Sequence, residues 1–274
     1  MKNDYIEKWG LQDTQQLAAT ATSNIYKVMW NEKPAVLKIY TSLGKIDEKG
    51  GSVALECFNG VSAVYLYRHD DNAQLLEYVG GSDLKSFVIM GEDEKATAIV
   101  GNVLNSLHST YTGHISSELT PLKTRFRSLF KKAKQDRKQG QVSIYTKAAD
   151  VAEMLLETQT NLCVLHGDIH HENIKYSDKR GWLTIDPKGL YGDRIFDAAN
   201  VLCNPSGMDK FVANESRLIR NANILAQILQ IDVNRLLAFT FAYAGLSASW
   251  SLEDNENPSL ALKIAAITES HCST

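Results

Sequence analysis

The sequence predicts an α+β fold of two lobes, with an N-terminal lobe over residues 1–79 and a C-terminal lobe over residues 80–274. Three observations predict it. Short strand-like segments separated by turns fill the first 80 residues, Gly80 and Gly81 interrupt that pattern, and helical spacing of apolar residues dominates the remainder. A chain of 274 residues with 44% apolar and 22% charged residues is long enough for two such lobes.

The N-terminal lobe is predicted to contain a mixed or antiparallel sheet and one helix. Residues 25–30 alternate between apolar and polar side chains, and a turn separates them from a second strand, as in a hairpin. A helix is expected after these strands, although Gly50 and Gly51, which lie inside it, lower its helix propensity. The expected elements are strands at 25–30 and 35–40, a helix at 46–58, and strands at 63–67 and 74–78.

The C-terminal lobe is predicted to be mostly helical. Apolar residues between Ala96 and Leu107 recur at i, i+3, i+4 and i+7, which indicates one face of a long helix. The segment 123–138 is strongly basic, and we interpret it as the solvated face of an amphipathic helix, with an anion-binding patch as the alternative. Further helices are expected at 145–157, at 215–229, after Asp232 and at 261–267.

Composition favours a cytoplasmic protein with neither a nucleic-acid nor a membrane partner. The formal net charge is −3, so a cationic small molecule would not be repelled. The four cysteines form no CxxC pair, the N-terminus has no signal-peptide pattern, and no apolar stretch reaches the length of a membrane span. We expect a monomer.

One non-helical segment, residues 162–186, contains the residues with recognisable chemistry. An apolar strand leads into the loop HGDIHHEN at 166–173, and a hairpin then ends at Asp186. Phosphoryl transfer needs a carboxylate that accepts the hydroxyl proton, and an amide and a second carboxylate that hold magnesium. Asp168, Asn173 and Asp186 have the order and strand context for these tasks.

The three histidines of the loop offer an alternative interpretation as zinc ligands. Their spacing is not H-E-x-x-H, and no helix presents two of them on one face. A metallohydrolase is therefore the less favoured hypothesis.

The loop resembles the catalytic loop of the aminoglycoside phosphotransferases, relatives of the protein kinases. The resemblance implies a protein-kinase-like fold, Asp168 as catalytic base, Asn173 and Asp186 as magnesium ligands, and His166 as a structural brace. Gly167 stands where protein kinases carry arginine, and Pro187-Lys188 where they carry Phe-Gly, which points to the small-molecule branch. ATP, with GTP as an alternative, and Mg²⁺ are the implied cofactors.

The resemblance also places the nucleotide-binding residues. Lys38 follows Ala35-Val36-Leu37 in the predicted strand at 35–40, which resembles the V-A-I-K strand of kinases, and it would reach the α- and β-phosphates. Its partner glutamate is predicted to be Glu48, with Glu56 as the alternative. Further contacts are expected from Thr22 and Ser23 to phosphate and from the main chain of Glu77 and Val79 to adenine.

Longer runs resemble the streptomycin 6-phosphotransferase and hydroxyurea phosphotransferase subfamily. They include the doubled histidine of the loop, GWLTIDPKGL at 181–190 and AYAGLSASW at 242–250. By this resemblance Asp197 hydrogen-bonds the catalytic loop, although it could also be a helix N-cap.

A streptomycin kinase needs carboxylates for the two guanidinium groups of its substrate. The candidates near the catalytic loop are Glu172 and Asp193, and an acidic segment supplies Glu253, Asp254 and Glu256, for which a solvated surface is the alternative. Trp250 could stack on a guanidinium or be a buried residue at a helix end.

The sequence therefore predicts a kinase that phosphorylates a hydroxyl of a cationic small molecule such as streptomycin. Two alternatives stay open: a kinase of hydroxyurea or another small hydroxylated metabolite, and a nucleotide-binding pseudokinase that acts as a scaffold. Retention of Lys38, Asp168, Asn173 and Asp186 argues against the scaffold.

Overall fold

The structure is a computed structural model that describes residues 2–47, 49–110, 113 and 115–272. Its N-terminal part is an antiparallel five-stranded sheet of order β1-β2-β3-β5-β4. The register pairs Ile25 with Lys38, which places Lys38 on a central strand. The strands are β1 (Gln12–Ala19), β2 (Ser23–Trp30), β3 (Lys33–Tyr40), β4 (Leu66–Asp70) and β5 (Ala73–Glu77).

Two elements at the N-terminus were not predicted. Helix α1 (Lys2–Trp9) buries Tyr5 and Trp9 against the sheet. Strand β1 is an edge strand whose residues are almost all exposed, so its polar sequence lacks the alternation that identifies a half-buried strand.

The predicted helix at 46–58 forms as α2 (Gly44–Asp47) and α3 (Lys49–Phe58). Gly50 and Gly51, which lower helix propensity, are where α3 approaches the backbone of the loop after Asp186. A Cβ atom on Gly51 would lie 2.3 Å from the carbonyl oxygen of Pro187, and one on Gly50 would lie 2.7 Å from that of Lys188. The two glycines therefore permit backbone contact between the two parts of the molecule.

The C-terminal part is a helical assembly around α12, whose Phe239 and Phe241 are buried. The predicted helix at 123–138 is interrupted at Phe126. The helices are α4 (Lys85–Ile89), α5 (Asp93–His108), α6 (Leu122–Arg125), α7 (Arg127–Lys138), α8 (Ile144–Glu157), α9 (Ile195–Leu202), α10 (Asp209–Val212), α11 (Glu215–Leu229), α12 (Val233–Glu253) and α13 (Ser259–Glu269). The two-part α+β architecture agrees with the predicted fold.

Two small β structures join the helices to the sheet. Strand β10 pairs with β7 antiparallel and with β6 parallel, and β8 and β9 form a hairpin. The chain between the two parts lies on this hairpin, where the Tyr176 amide donates to the Ser82 carbonyl at 3.0 Å. The lobe boundary at residue 79 stays a prediction. The strands are β6 (Thr120–Pro121), β7 (Leu162–Leu165), β8 (Ile174–Ser177), β9 (Gly181–Thr184) and β10 (Leu190–Asp193).

Among the residues that the structure describes, no helix combines the length and the apolar composition that crossing a membrane requires.

A buried ion pair joins the start of α5 to α11. Arg217 donates to both carboxylate oxygens of Asp93, at 3.0 and 2.9 Å, and both side chains are buried. Asn221 and Arg220 donate to the same carboxylate at 2.9 and 3.1 Å. Burial by itself would raise the pKa of Asp93, but the hydrogen bond and charge of Arg217 lower it.

We expect Asp93→Ala to lower the free energy of unfolding by about 3–5 kcal/mol, because Arg217 stays buried without its counter-charge. Urea denaturation measures this loss, and Arg217→Met in the same chain should recover part of it. Glu92→Ala, which removes an exposed partner of Lys95, is the control and should change stability by at most about 0.5 kcal/mol. A loss for Asp93→Ala that matches this control would contradict the expected role of the ion pair.

Candidate active site

A cavity of about 260 Å³ separates the sheet from the β8–β9 hairpin. Its walls are apolar, with Val36 and Leu76 from the sheet and Ile185 from the segment after β9. The polar lining residues are Lys38, Glu77, Asn173, Lys175 and Asp186. The cavity thus combines walls that suit a flat apolar ring with charged groups that suit phosphate and metal.

Lys38 and Asp186 form an ion pair in this cavity. The Lys38 ammonium donates to Oδ1 of Asp186, and Lys188 Nζ lies 3.4 Å from Oδ2. Burial would raise the pKa of Asp186, but the charges of Lys38 and Lys188 outweigh it and lower the pKa to about 2. Asp186 is therefore a carboxylate at neutral pH, on a backbone with φ of +60°.

Neither of the two glutamates predicted to pair with Lys38 is confirmed as its partner. Glu48 lies outside the described residues. The alternative, Glu56, is wrong, because its carboxylate contacts His69 Nε2 at 2.9 Å and its side chain is 56% exposed.

The loop after β7 places Asp168 beside Asn173. The Asn173 side-chain amide donates to the Asp168 carbonyl oxygen at 3.0 Å. The Asp168 amide donates to Nδ1 of His166 at 3.3 Å, and Nε2 of His166 donates to the Ile185 carbonyl at 3.0 Å. His166 is fully buried, so it connects the loop to the segment that carries Asp186.

Asp197, in the first turn of α9, holds the same loop through the loop's main chain. Its carboxylate accepts the amide N–H groups of His166 and Gly167, at 2.9 and 2.8 Å, and contacts Nε2 of His108 at 2.9 Å. Burial raises the pKa of Asp197, but the His108 hydrogen bond and charge outweigh it and lower the pKa. Arg194 is the N-cap of α9, so Asp197 lies in the first turn and is not the cap. Sequence reasoning missed His108, which no motif marks.

The other two loop histidines have unrelated surroundings. His170 Nδ1 contacts Glu172 at 2.9 Å, whereas His171 is fully buried and neither of its ring nitrogens has a hydrogen-bond partner in the described part of the chain. Burial lowers the pKa of His171 to about 4. Within the same residues, no three His, Cys, Asp or Glu side chains are grouped closely enough to hold a metal ion.

The β1–β2 turn is organised by Thr20, which sequence reasoning missed. Its hydroxyl accepts the Ser23 amide at 3.0 Å and donates to the Ser23 carbonyl at 3.1 Å. Ser23 is buried, with its hydroxyl 3.4 Å from that of Thr20, and its contact with phosphate stays a prediction. Thr22 is partly exposed and lines a second cavity, described below.

Two predicted substrate carboxylates are engaged within the protein. Asp193 is fully buried and accepts from Arg235 at 2.8 Å and from the amides of Thr160 and Ile195, so its assignment to substrate is wrong. Glu172 is half-buried and pairs with Lys85 at 3.1 Å, with His170 and with Ser206.

The acidic segment at the end of α12 is divided. Glu253 pairs with Lys131 and accepts from Ser128 on α7, and the Ser128 hydrogen bond, followed by that of Lys131, lowers its pKa. Its assignment to substrate stays a prediction, and substrate would have to replace these two partners. Asp254 and Glu256 are exposed, and their assignment stays a prediction.

Trp250 stacks on a guanidinium group, but one that belongs to this chain. The Arg125 guanidinium lies 4.3 Å from the centroid of the Trp250 ring, and the ring packs edge-on against Tyr243. The predicted contact with a substrate guanidinium is therefore wrong for this face of the ring.

The chain is similar to known kinases over most of its length. Residues 8–255 match the family model described as aminoglycoside/hydroxyurea antibiotic resistance kinase. A streptomycin 3''-kinase of Klebsiella pneumoniae is 34% identical, with 91% of each chain covered, and a streptomycin 6-kinase of Streptomyces griseus is 26% identical, with 91% of this chain and 81% of the relative covered.

Solved structures of related fold agree with the architecture. A thermostable mutant of aminoglycoside phosphotransferase APH(4)-Ia, in a ternary complex with ADP and hygromycin B, superposes with a TM-score of 0.68 at 14% identity, covering 100% of this chain and 99% of that one. At this identity the likeness concerns the fold, whereas the family match and the 34% identical relative concern the sequence itself. The chain belongs to the aminoglycoside/hydroxyurea antibiotic resistance kinase family, whose members are phosphotransferases.

Proposed function

We propose that this chain transfers the γ-phosphoryl group of ATP to a hydroxyl group of streptomycin. The observation that carries the proposal is the arrangement of Lys38, Asn173 and Asp186 in one cavity, with the main chain of Asp168 hydrogen-bonded to the Asn173 side chain. Similarity to streptomycin kinases over 91% of the chain supports the choice of acceptor.

The 260 Å³ cavity is the proposed nucleotide site. The adenine ring would lie between Val36 above and Ile185 below, and Glu77 and Val79 border the same space. The Glu77 side chain is engaged with Arg180 and with the Tyr65 amide, and its own amide donates to the Tyr65 carbonyl at 2.9 Å. A base would therefore have to be met by the Glu77 carbonyl oxygen and by the main chain of Val79. Lys38, at the opposite end, would offset charge on the α- and β-phosphates.

Asp186 and Asn173 are suited to magnesium. Asp186 is ionised, and the amide nitrogen of Asn173 is directed to the Asp168 carbonyl, which leaves its side-chain oxygen for a cation. Magnesium is commonly held by one or two protein oxygens together with phosphates, so two such ligands suffice. Bound there, Mg²⁺ would neutralise charge on the β- and γ-phosphates.

Asp168 is the proposed catalytic base. Its carboxylate would orient the acceptor hydroxyl toward phosphorus and take its proton as the new P–O bond forms. The hydrogen bonds of its own main chain hold it in place, and Asp197 fixes the two preceding amides. Contacts within the chain therefore position the loop without any contribution from substrate.

Purified protein with ATP and Mg²⁺ tests the proposal through acceptor-dependent release of ADP. We expect kcat/KM for streptomycin to exceed that for hydroxyurea or hygromycin B by about 100-fold or more, since specificity is a ratio of kcat/KM values. NMR of the product would identify the modified hydroxyl and separate the 3''-position from the 6-position, for which the two relatives are named.

Three results would redirect the assignment. Preference for hydroxyurea, to which a relative 25% identical over 92% of this chain is assigned, would favour the alternative acceptor. ATP binding without turnover of any acceptor would favour the pseudokinase scaffold. Absence of ATP binding would remove both kinase hypotheses.

A further inference from the structure

A second cavity, of about 420 Å³, is separate from the proposed nucleotide site, and Thr22 and Trp250 are among its lining residues. The β1–β2 turn, α3, β10, α6, α7 and the end of α12 each contribute to its lining. Its charged lining residues are Arg125, Arg127, Lys188 and Glu118. Lys188 shares its charge with the Asp186 carboxylate, so Arg125 and Arg127 give this lining its excess of positive charge, which favours an anion.

Two contacts place this cavity next to the reacting groups. Lys188, on its wall, lies 3.4 Å from the Asp186 carboxylate. Leu190, also on its wall, packs against Gly167, where a Cβ atom would lie 2.6 Å from Leu190 Cγ. Leu190 therefore lies between this cavity and the residue that precedes Asp168.

Arg125 is the cation with the most defined position in this cavity. Its guanidinium rests on Trp250 at 4.3 Å, and Trp250 is in turn packed edge-on against the buried Tyr243. Nε of Arg125 is buried, and no hydrogen-bond partner for it exists among the residues that the structure describes. An arginine fixed by stacking keeps its planar set of donors available for an oxyanion.

We propose that Arg125, positioned by Trp250, binds the phosphoryl group during its transfer and afterwards on the phosphorylated product. This inference rests on the proposed function. The bond between phosphorus and the leaving oxygen of ADP breaks, its electron pair stays with ADP, and the bond to the acceptor oxygen forms while Asp168 takes the hydroxyl proton. Arg125 offsets charge on the equatorial oxygens of the moving group, as cationic side chains do in phosphoryl transfer.

The inference also restricts how a cationic acceptor binds. A guanidinium group of the acceptor would be repelled from Arg125, Arg127 and Lys188, so the acceptor must present a hydroxyl to this side. Its cationic groups then lie elsewhere, and the exposed Asp254 and Glu256 remain candidates to meet them.

The first test measures the binding of inorganic phosphate to the full chain by isothermal titration calorimetry. We expect Arg125→Gln to weaken phosphate binding about tenfold, because a charge-assisted hydrogen-bonded contact is lost, and Arg125→Lys to bind with intermediate affinity. Arg137→Gln, which alters an arginine of α7 that pairs with Asp150, is the matched control and should bind as the unmodified chain does. Unchanged phosphate affinity in Arg125→Gln would overturn the inference.

The second test is steady-state kinetics with the best acceptor. We expect Arg125→Gln to lower kcat about 100-fold while KM for ATP changes less than about twofold, since the contact is made with the moving group. Trp250→Phe should retain most of the activity and Trp250→Ala should lose it. A raised KM for ATP with kcat preserved would overturn the inference. If no acceptor is phosphorylated, the proposed function fails, and the phosphate titration still decides the role of Arg125.

Discussion

Asp168→Asn is expected to lower kcat for phosphoryl transfer by about 10³- to 10⁴-fold, because the amide cannot accept the hydroxyl proton. The fold should be unaffected. The loop is held by the Asp168 main chain, which bonds His166 and Asn173, and by Asp197, and none of these contacts uses the Asp168 carboxylate. KM for ATP should change little, since the proposed nucleotide contacts are made by other residues.

Single-turnover and steady-state assays measure the loss, and a thermal melt checks the fold. Asp178→Asn, the same substitution at an exposed position in the β8–β9 turn, is the control and should retain full activity. If Asp168→Asn transferred phosphate within about tenfold of the unmodified rate, Asp168 would not be the base, and another group would have to accept the proton.

The parts of the site that were predictable from sequence are those in which neighbours along the chain are also neighbours in space. Asp168 and Asn173 lie in one loop, and a four-residue strand on each side of a tight turn returns the chain to Asp186. The position of Lys38 on a strand was predictable, because hydrophobic strand residues precede it and the strand forms a hairpin with the one before it.

The incorrect assignments share a different cause, which is that proximity in sequence does not determine the direction of a side chain. Asp193 is only seven residues beyond Asp186, yet it ends β10 and is enclosed by Arg235. Trp250 does stack on a guanidinium group, but the group belongs to Arg125 of α6, more than a hundred residues earlier in the chain. Helix packing alone brings His108 to Asp197 and Arg125 to the second cavity, so neither could be identified from the sequence.

Gly50 and Gly51 illustrate the limits of local propensity. Propensity scales assign a cost to glycine inside a helix, and α3 forms nevertheless. Contact between α3 and the loop at 187–189 explains both glycines, since any Cβ atom would overlap a carbonyl oxygen of that loop. Tertiary contact, which sequence patterns do not report, decides the residue type here.

Asp197→Ala is expected to lower the free energy of unfolding by about 3–5 kcal/mol, because two buried backbone N–H groups and His108 lose their acceptor together. The pKa of Asp197 is lowered in the folded chain. Its contribution is therefore complete above the unfolded pKa, about 3.9, and is lost as pH falls through the folded value. The variant should lack this part of the acid sensitivity.

Urea titrations at neutral and acidic pH measure the loss of stability and the loss of acid sensitivity. Steady-state kinetics of the folded fraction measure the effect on kcat. Because Asp197 positions the two residues before Asp168, kcat should fall even where the variant is fully folded, while Asp197→Asn, which keeps one acceptor oxygen, should lie between. Asp150→Ala removes an exposed carboxylate paired with Arg137 and should cost at most about 0.5 kcal/mol. Stability loss in Asp197→Ala without loss of kcat would mean that the loop keeps its geometry unaided, and that Asp197 stabilises the fold without positioning the base.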